Sequence, residues 1–170
     1  MKLLLSLALS VFALLGILDA GYLTFAELTG SLPPCKPPFA CQSVLDSPWA
    51  KVGPIPLSAF GLLFYSSMFL LGVLLTLEIK FLPLIPFRIP LFTLAAVFGI
   101  LGAGFSLWLI FLMGVVIKAW CLYCLLSALN TAVIFTVTLS LFMMNRADHK
   151  KQFEELYACL LYTSDAADER

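Results

Sequence analysis

Four apolar runs, at about residues 3–26, 57–79, 89–113 and 119–144, constrain this chain more than any other feature. Each holds 23 to 26 residues, and at 1.5 Å rise per residue a helix of that length crosses a hydrocarbon core of about 30 Å. The runs predict four transmembrane helices in a lipid bilayer. Composition agrees: 62% of residues are hydrophobic and 12% charged, with mean hydropathy +1.04, where soluble chains are about a quarter charged. No long polar segment interrupts the pattern, so the expected fold class is an all-α integral membrane protein, one four-transmembrane-helix bundle without a soluble domain. The formal charge of zero argues against a nucleic-acid partner.

The connections differ in kind. Residues 27–56 hold seven of the ten prolines, 80–88 are short with Pro83 and Pro86, and 114–118 read as a tight turn. Pro90 falls in the first turn of the third helix, where a missing amide donor costs little. Lys2, Lys80, Arg88, Arg146, Lys150 and Lys151 lie at one set of helix ends, against Lys36, Lys51 and Lys118 at the other. The positive-inside rule then places both termini in the cytoplasm and the long loop outside. The first run has the look of a signal peptide, but no clear small-x-small site follows it and hydrophobicity resumes through Tyr22 and Phe25, so it reads as a retained helix. Asp19 is the one acid well inside that helix, in its outer third and facing the bundle, a position suited to moving a proton, although an acid near a helix end more often just reaches water. From Cys159 the chain reads CLLYTSDAADER, which abandons the preceding pattern and resembles a translated sequencing adapter. The expected division is a membrane domain over 1–157 and a non-native tail over 158–170.

Setting Cys159 aside leaves four cysteines in two pairs, Cys35 with Cys41 in the outer loop and Cys121 with Cys124 at the head of the last helix. Three residues apart on a helix, Cys121 and Cys124 share a face, with Cα atoms about 5–6 Å apart and within disulfide range. Their place in the first turn exposes them to the positive end of the helix dipole, which favours the thiolate. A lone C-x-x-C has other readings: half a zinc site, a structural bridge or two small buried residues. Cys35 and Cys41, read alone, suit a bridge that holds the loop's shape. In the next segment, Ser43-Val44-Leu45-Asp46 looks like a capped helix start whose Val44 and Leu45, with Trp49, offer an apolar side to the membrane surface. Ser47-Pro48 interrupts that short surface helix, and the loop reads as a lid. A thiol pair in lipid next to a pair in water suits an electron relay to an apolar oxidant, and a quinone is the obvious one. Phe60, Phe64, Trp120 and Tyr123 cluster near the outer end as candidate walls of its pocket. Ala95, Gly99 and Ala103 read as a close-packing stripe.

On these residues the chain resembles the vitamin K epoxide reductase family, in particular its bacterial homologues. The resemblance covers about residues 10–130: Gly21-Tyr22-Leu23-Thr24, Cys35 and Cys41, Val44 and Ser47, Gly53-Pro54-Ile55-Pro56, Gly61, Cys121-x-x-Cys124 and Leu125-Leu126-Ser127. Two departures stand out, the extra proline where Gly-Ile-Pro is usual and Ala128 where vertebrate members carry a tyrosine. The resemblance implies a bundle around a quinone, ubiquinone or menaquinone, with Cys124 facing the ring and Cys121 bonded to it when oxidised. It further implies that Cys41 meets the partner, that Cys35 turns inward to Cys121, that Ser47 supports the lid, and that no metal takes part. The partner would be a thioredoxin-like periplasmic protein or a fused domain, and the location a bacterial inner membrane with the cysteines on the periplasmic side. The expected function is a membrane thiol:quinone oxidoreductase that supports disulfide formation. The alternatives are reduction of a vitamin K quinone or its epoxide and, in another class, a non-catalytic membrane subunit or small transporter with structural disulfides.

Overall fold

The computed structural model describes residues 1–31, 35, 39–77 and 90–168. The connection expected at 80–88, with Lys80 and Arg88, lies outside the described residues, as does Lys36. Four helices are long and apolar enough to cross a membrane: α1 (Lys2–Thr29), α3 (Leu57–Thr76), α4 (Leu91–Phe111) with its continuation to Ile117, and α5 (Leu122–Asp168) as far as Asp148. A helix satisfies its own backbone hydrogen bonds, and lipid offers no other partner. Proline stands outside each helix. Pro56 and Pro90 are the N-cap residues of α3 and α4, so Pro90 precedes the first turn rather than lying in it.

Between α1 and α3 the outer loop folds into short α2 (Cys41–Leu45), a single 3-10 turn at Pro48–Ala50 and a two-stranded hairpin of β1 (Lys51–Val52) and β2 (Ile55–Pro56). Gly53 and Pro54 form the hairpin's tip. Gly53 has φ +64, a conformation glycine adopts without steric cost. The extra proline is therefore accommodated by a reversal of the chain before α3.

The main core joins α1, α3, α4 and α5 through Leu9, Ala13, Tyr65, Met68, Leu91, Ala95 and Ile134. Large apolar side chains such as Leu4, Leu18, Leu63 and Leu107 remain exposed around it, as expected of a surface that faces lipid rather than water. The small stripe on α4 packs as expected at Ala95 and Gly99, with Thr138 of α5 against Gly99. At the end opposite the loop, Lys2 Nζ lies 2.6 Å from Asp148 Oδ2, so the start of α1 and residue 148 of α5 share one end of the bundle. The helix α5 extends past the expected limit at 144, its backbone helical to Asp168.

Two local expectations fail. Residues 114–118 do not form a tight turn: Leu112–Ile117 continue α4 as a π-helical segment that ends at Lys118, with φ 55. The N–H groups of Lys118 and Ala119 both return to the Met113 carbonyl, which satisfies the end of the helix through a wide left-handed cap instead of a reversal. Ser43 is not a helix cap either. The helix α2 begins two residues earlier, at Cys41, and Asp46 ends it, because the Cys35–Cys41 bridge and the hydrogen bond from Ala40 N–H to the Trp120 carbonyl (2.9 Å) fix the start.

Candidate functional site

Helix α5 begins at Leu122, which makes Cys121 its N-cap residue. The Cys121 carbonyl accepts the first helical bond, from Leu125 N–H at 3.1 Å, and its Sγ accepts the Cys124 N–H at 3.4 Å. A sulfur thus occupies the place usually taken by a serine or aspartate oxygen. The Cys121 thiol is lowered from its ordinary value first by the hydrogen bond from the Cys124 side chain. Burial opposes this, the N–H groups of Cys124 and Tyr123 reinforce it, and the Asp19 charge works against it. Cys121 and Cys124 are both free thiols.

The loop pair is closed. Cys35 and Cys41 form a disulfide with Cα atoms 5.8 Å apart. Cys41, Val44, Met113 and Cys121 form one buried apolar cluster, against which Cys35 and Cys124 pack. All four cysteines thus meet in one place, held by the lid, the π-helical segment and the head of α5. The two loop cysteines differ in burial: Cys41 is 0% exposed, while Cys35 is half-buried.

Below this cluster lies a cavity of about 590 Å³, within the size range of small-molecule sites. Cys124 opens into it and Cys121 does not. Phe60 and Phe64 line it, with Phe98 and Phe105 of α4. Trp120 and Tyr123 are not among its walls, contrary to expectation. Trp120 precedes α5 and lies beside Gly114, and Tyr123, one residue from Cys124 and so turned about 100° from it on a helix, packs against Tyr22 with ring centroids 5.8 Å apart. Val44 and Leu45, expected on the membrane surface, are buried and face the cavity; of that trio only Trp49 stays exposed. Ser47 also lines the cavity, its Oγ donating to the Val44 carbonyl at 2.7 Å, which closes the end of α2.

Several polar groups converge on the cavity beyond those the sequence singled out. The Tyr65 hydroxyl reaches Ser127 Oγ (2.8 Å), Thr131 Oγ1 (2.8 Å) and the Ser127 carbonyl (2.9 Å), joining α3 to α5. Ser58 Oγ donates to Glu27 Oε2 at 2.8 Å and receives Thr24 Oγ1 at 3.1 Å. Asp19 lines the cavity as its place in α1 predicts, and its Oδ2 is buried without a hydrogen-bond partner. The available signal for Glu27 was spacing: Asp19, Leu23 and Glu27 recur every four residues and so share one face of α1. Nothing in the sequence paired Tyr65 with Ser127 and Thr131.

A largely apolar cavity with a cysteine in its wall and a few fixed polar groups fits a flat quinone ring better than a charged ligand. Such an arrangement suits the thiol and quinone chemistry of a multi-pass membrane oxidoreductase. The sequence model described as the Vitamin K epoxide reductase family matches residues 7–139, and the chain belongs to that family.

Proposed function

We propose that the protein is a quinone-dependent thiol-disulfide oxidoreductase that oxidises a thioredoxin-like partner and so supports disulfide formation. The observation that carries this reading is the gathering of all four cysteines in one apolar cluster, from which Cys124 alone opens into a ligand-sized cavity. In this scheme a partner thiolate attacks Cys35, which forms a mixed disulfide and frees Cys41; the partner's second thiol then resolves it and leaves oxidised. Cys41 attacks Cys121 of the oxidised inner pair, freeing Cys124, and Cys35 resolves the Cys41–Cys121 bond to restore the loop disulfide. The inner dithiol is then reoxidised. A quinone, ubiquinone or menaquinone from the membrane pool, supplies the two-electron, two-proton sink. Phe60 and Phe64 would flank its ring, and Ser47 would keep α2 closed over it. The lid contributes proximity between successive thiols rather than new chemistry.

The same proposal sets the cysteines on the periplasmic side of a bacterial inner membrane with both termini in the cytoplasm. It is supported by the basic residues at the Lys2–Asp148 end, including Arg146 and Lys150, and by the persistence of disulfides in oxidising compartments. Residues 1–157 form the functional unit of this reading, with 158–170 outside it.

The decisive experiment is Cys124→Ala in purified protein supplied with a short-chain quinone and a reduced thioredoxin-like protein. Quinone reduction should disappear while the loop disulfide still forms and exchanges with the partner. Quinone turnover at the wild-type rate would overturn the scheme.

A further inference from the structure

Electrons have a path in this fold through the cysteines, all of which lie in the lid and on α5. Reducing a quinone also takes two protons, and the acids facing the cavity lie on a different element. Asp19, Leu23 and Glu27 line it from one face of α1, with Asp19 and Glu27 separated by eight residues, about 12 Å along the axis. Asp19 Oδ2 is buried and has no hydrogen-bond partner. A carboxyl oxygen left so within a membrane span is costly to maintain and marks a functional position by default. Asp19 and Cys124 line the same cavity, so the carboxyl and the inner thiol face one ligand-sized space. Glu27 is held differently. Ser58 donates to it and Thr24 extends the chain, and Lys51 and Asp46 of the lid act on it electrostatically, which sets it at the cavity's mouth.

Resting on the quinone reading above, we propose that α1 carries a proton relay separate from the thiol path, in which Asp19 delivers protons to the ring oxygen in the cavity and Glu27 resupplies Asp19 from the mouth. The balance closes. Oxidation of the Cys121 and Cys124 thiols to a disulfide releases two electrons and two protons. The electrons leave from sulfur to the quinone. Asp19 gives up a proton to the ring oxygen it faces and recovers one from Glu27, which recovers one from the outer water; the second ring oxygen takes a proton from the reacting dithiol, whose other proton leaves to water. Dithiol and quinone become disulfide and hydroquinone with nothing left over. In this proposal water admitted at the mouth links the two acids, which lie about 12 Å apart along the axis of α1.

The test compares Asp19→Asn, Asp19→Glu and Glu27→Gln with the wild-type protein in lipid nanodiscs, using a short-chain ubiquinone analogue as probe. In Asp19→Asn, single-turnover quinone reduction should slow by about 10²-fold or more while KM for the quinone stays within about twofold. Exchange between the loop pair and the inner pair, followed without quinone on non-reducing gels, should not slow, since the Asp19 charge opposes the Cys121 thiolate. Asp19→Glu should recover most of the loss, and Glu27→Gln should slow turnover less than Asp19→Asn does. An independent readout needs no turnover: in Cys124→Ala protein, adding the quinone should perturb a carboxyl C=O band in the infrared difference spectrum, and Asp19→Asn should abolish that band. A wild-type quinone rate in Asp19→Asn overturns the relay. Equal loss of thiol exchange also overturns it, by showing a merely structural role, and so does an infrared band that survives the substitution. Failure of the wild-type protein to bind or reduce the quinone sinks the underlying reading, and that outcome is visible before any variant is made.

Discussion

The two ends of the bundle differ in backbone. At the cysteine end regular structure breaks repeatedly: α2 lasts five residues, a 3-10 turn and a hairpin follow it, and α4 widens into a π-helical segment before the left-handed Lys118. Away from it the described helices are continuous and lie close. Gly72 of α3 packs on Ser10 of α1 so tightly that an added Cβ would come within 2.6 Å of Ser10 Oγ and 3.1 Å of its backbone nitrogen, and Gly99 of α4 packs against Thr138 of α5. One end spends its residues on a rigid frame. The other gives up helical regularity, which lets a lid, a widened turn and a helix head bring four sulfurs together above a cavity. Irregular backbone at membrane depth is tolerated where it is covered by protein or borders a cavity, and both conditions hold here.

The comparison breaks most visibly at the loop pair. If accessibility sets the order of exchange, Cys41→Ser, which keeps Cys35, should accept a single-cysteine partner activated with thionitrobenzoate at least about tenfold faster than Cys35→Ser, which keeps the buried Cys41. The measurement is the rate of conjugate formation on a non-reducing gel. Faster conjugation at Cys41 would restore the direction that the family resemblance implied and would mean that the lid opens readily at its buried face.

The frame end should respond in stability and not in thiol chemistry. Gly72→Ala forces a methyl group against the backbone of Ser10, and overpacking of this kind typically costs about 1–3 kcal/mol. Unfolding in detergent should register that loss while the rate of exchange between the two cysteine pairs stays unchanged. A variant with normal stability and slowed exchange would show that the two ends are coupled rather than distinct.

What the sequence revealed follows the same division. The four spans were legible because length and hydropathy suffice for a helix in lipid, whereas Cys121, expected on the helix beside Cys124, is its N-cap residue. The cysteine end was less legible because its shape depends on contacts between segments distant in sequence. The start of α2 at Cys41 depends on the loop disulfide and on the carbonyl of Trp120, so the serine that looked like a cap lies inside the helix. No residue type announces the π-helical segment, and Leu112–Ile117 reads like any other apolar stretch. Trp120 and Tyr123 looked like pocket walls because they cluster with Phe60 and Phe64 near the outer end, but neither is among the residues that line the cavity. Glu27 lies just past the first apolar run, and only the fold brings Ser58 beside it.

The smallest effect should come from the polar contact that ties the frame together. Lys2 pairs with Asp148 of α5 and lies 5.9 Å from the centroid of the Phe92 ring on α4, so one side chain touches two other spans. The geometry invites a large assignment, yet the Lys2 and Asp148 side chains are 39% and 58% exposed. Exposed ion pairs contribute about 0–1 kcal/mol, and an exposed cation over a ring about 0.5–1 kcal/mol. Lys2→Met keeps the aliphatic reach and removes the charge, so it should lower unfolding free energy in detergent by about 1 kcal/mol or less, and less in high salt than in low. A loss exceeding that of Gly72→Ala would mean that charge, rather than close helix packing, holds this end together, and the contrast between a packed frame and an irregular reactive end would need to be redrawn.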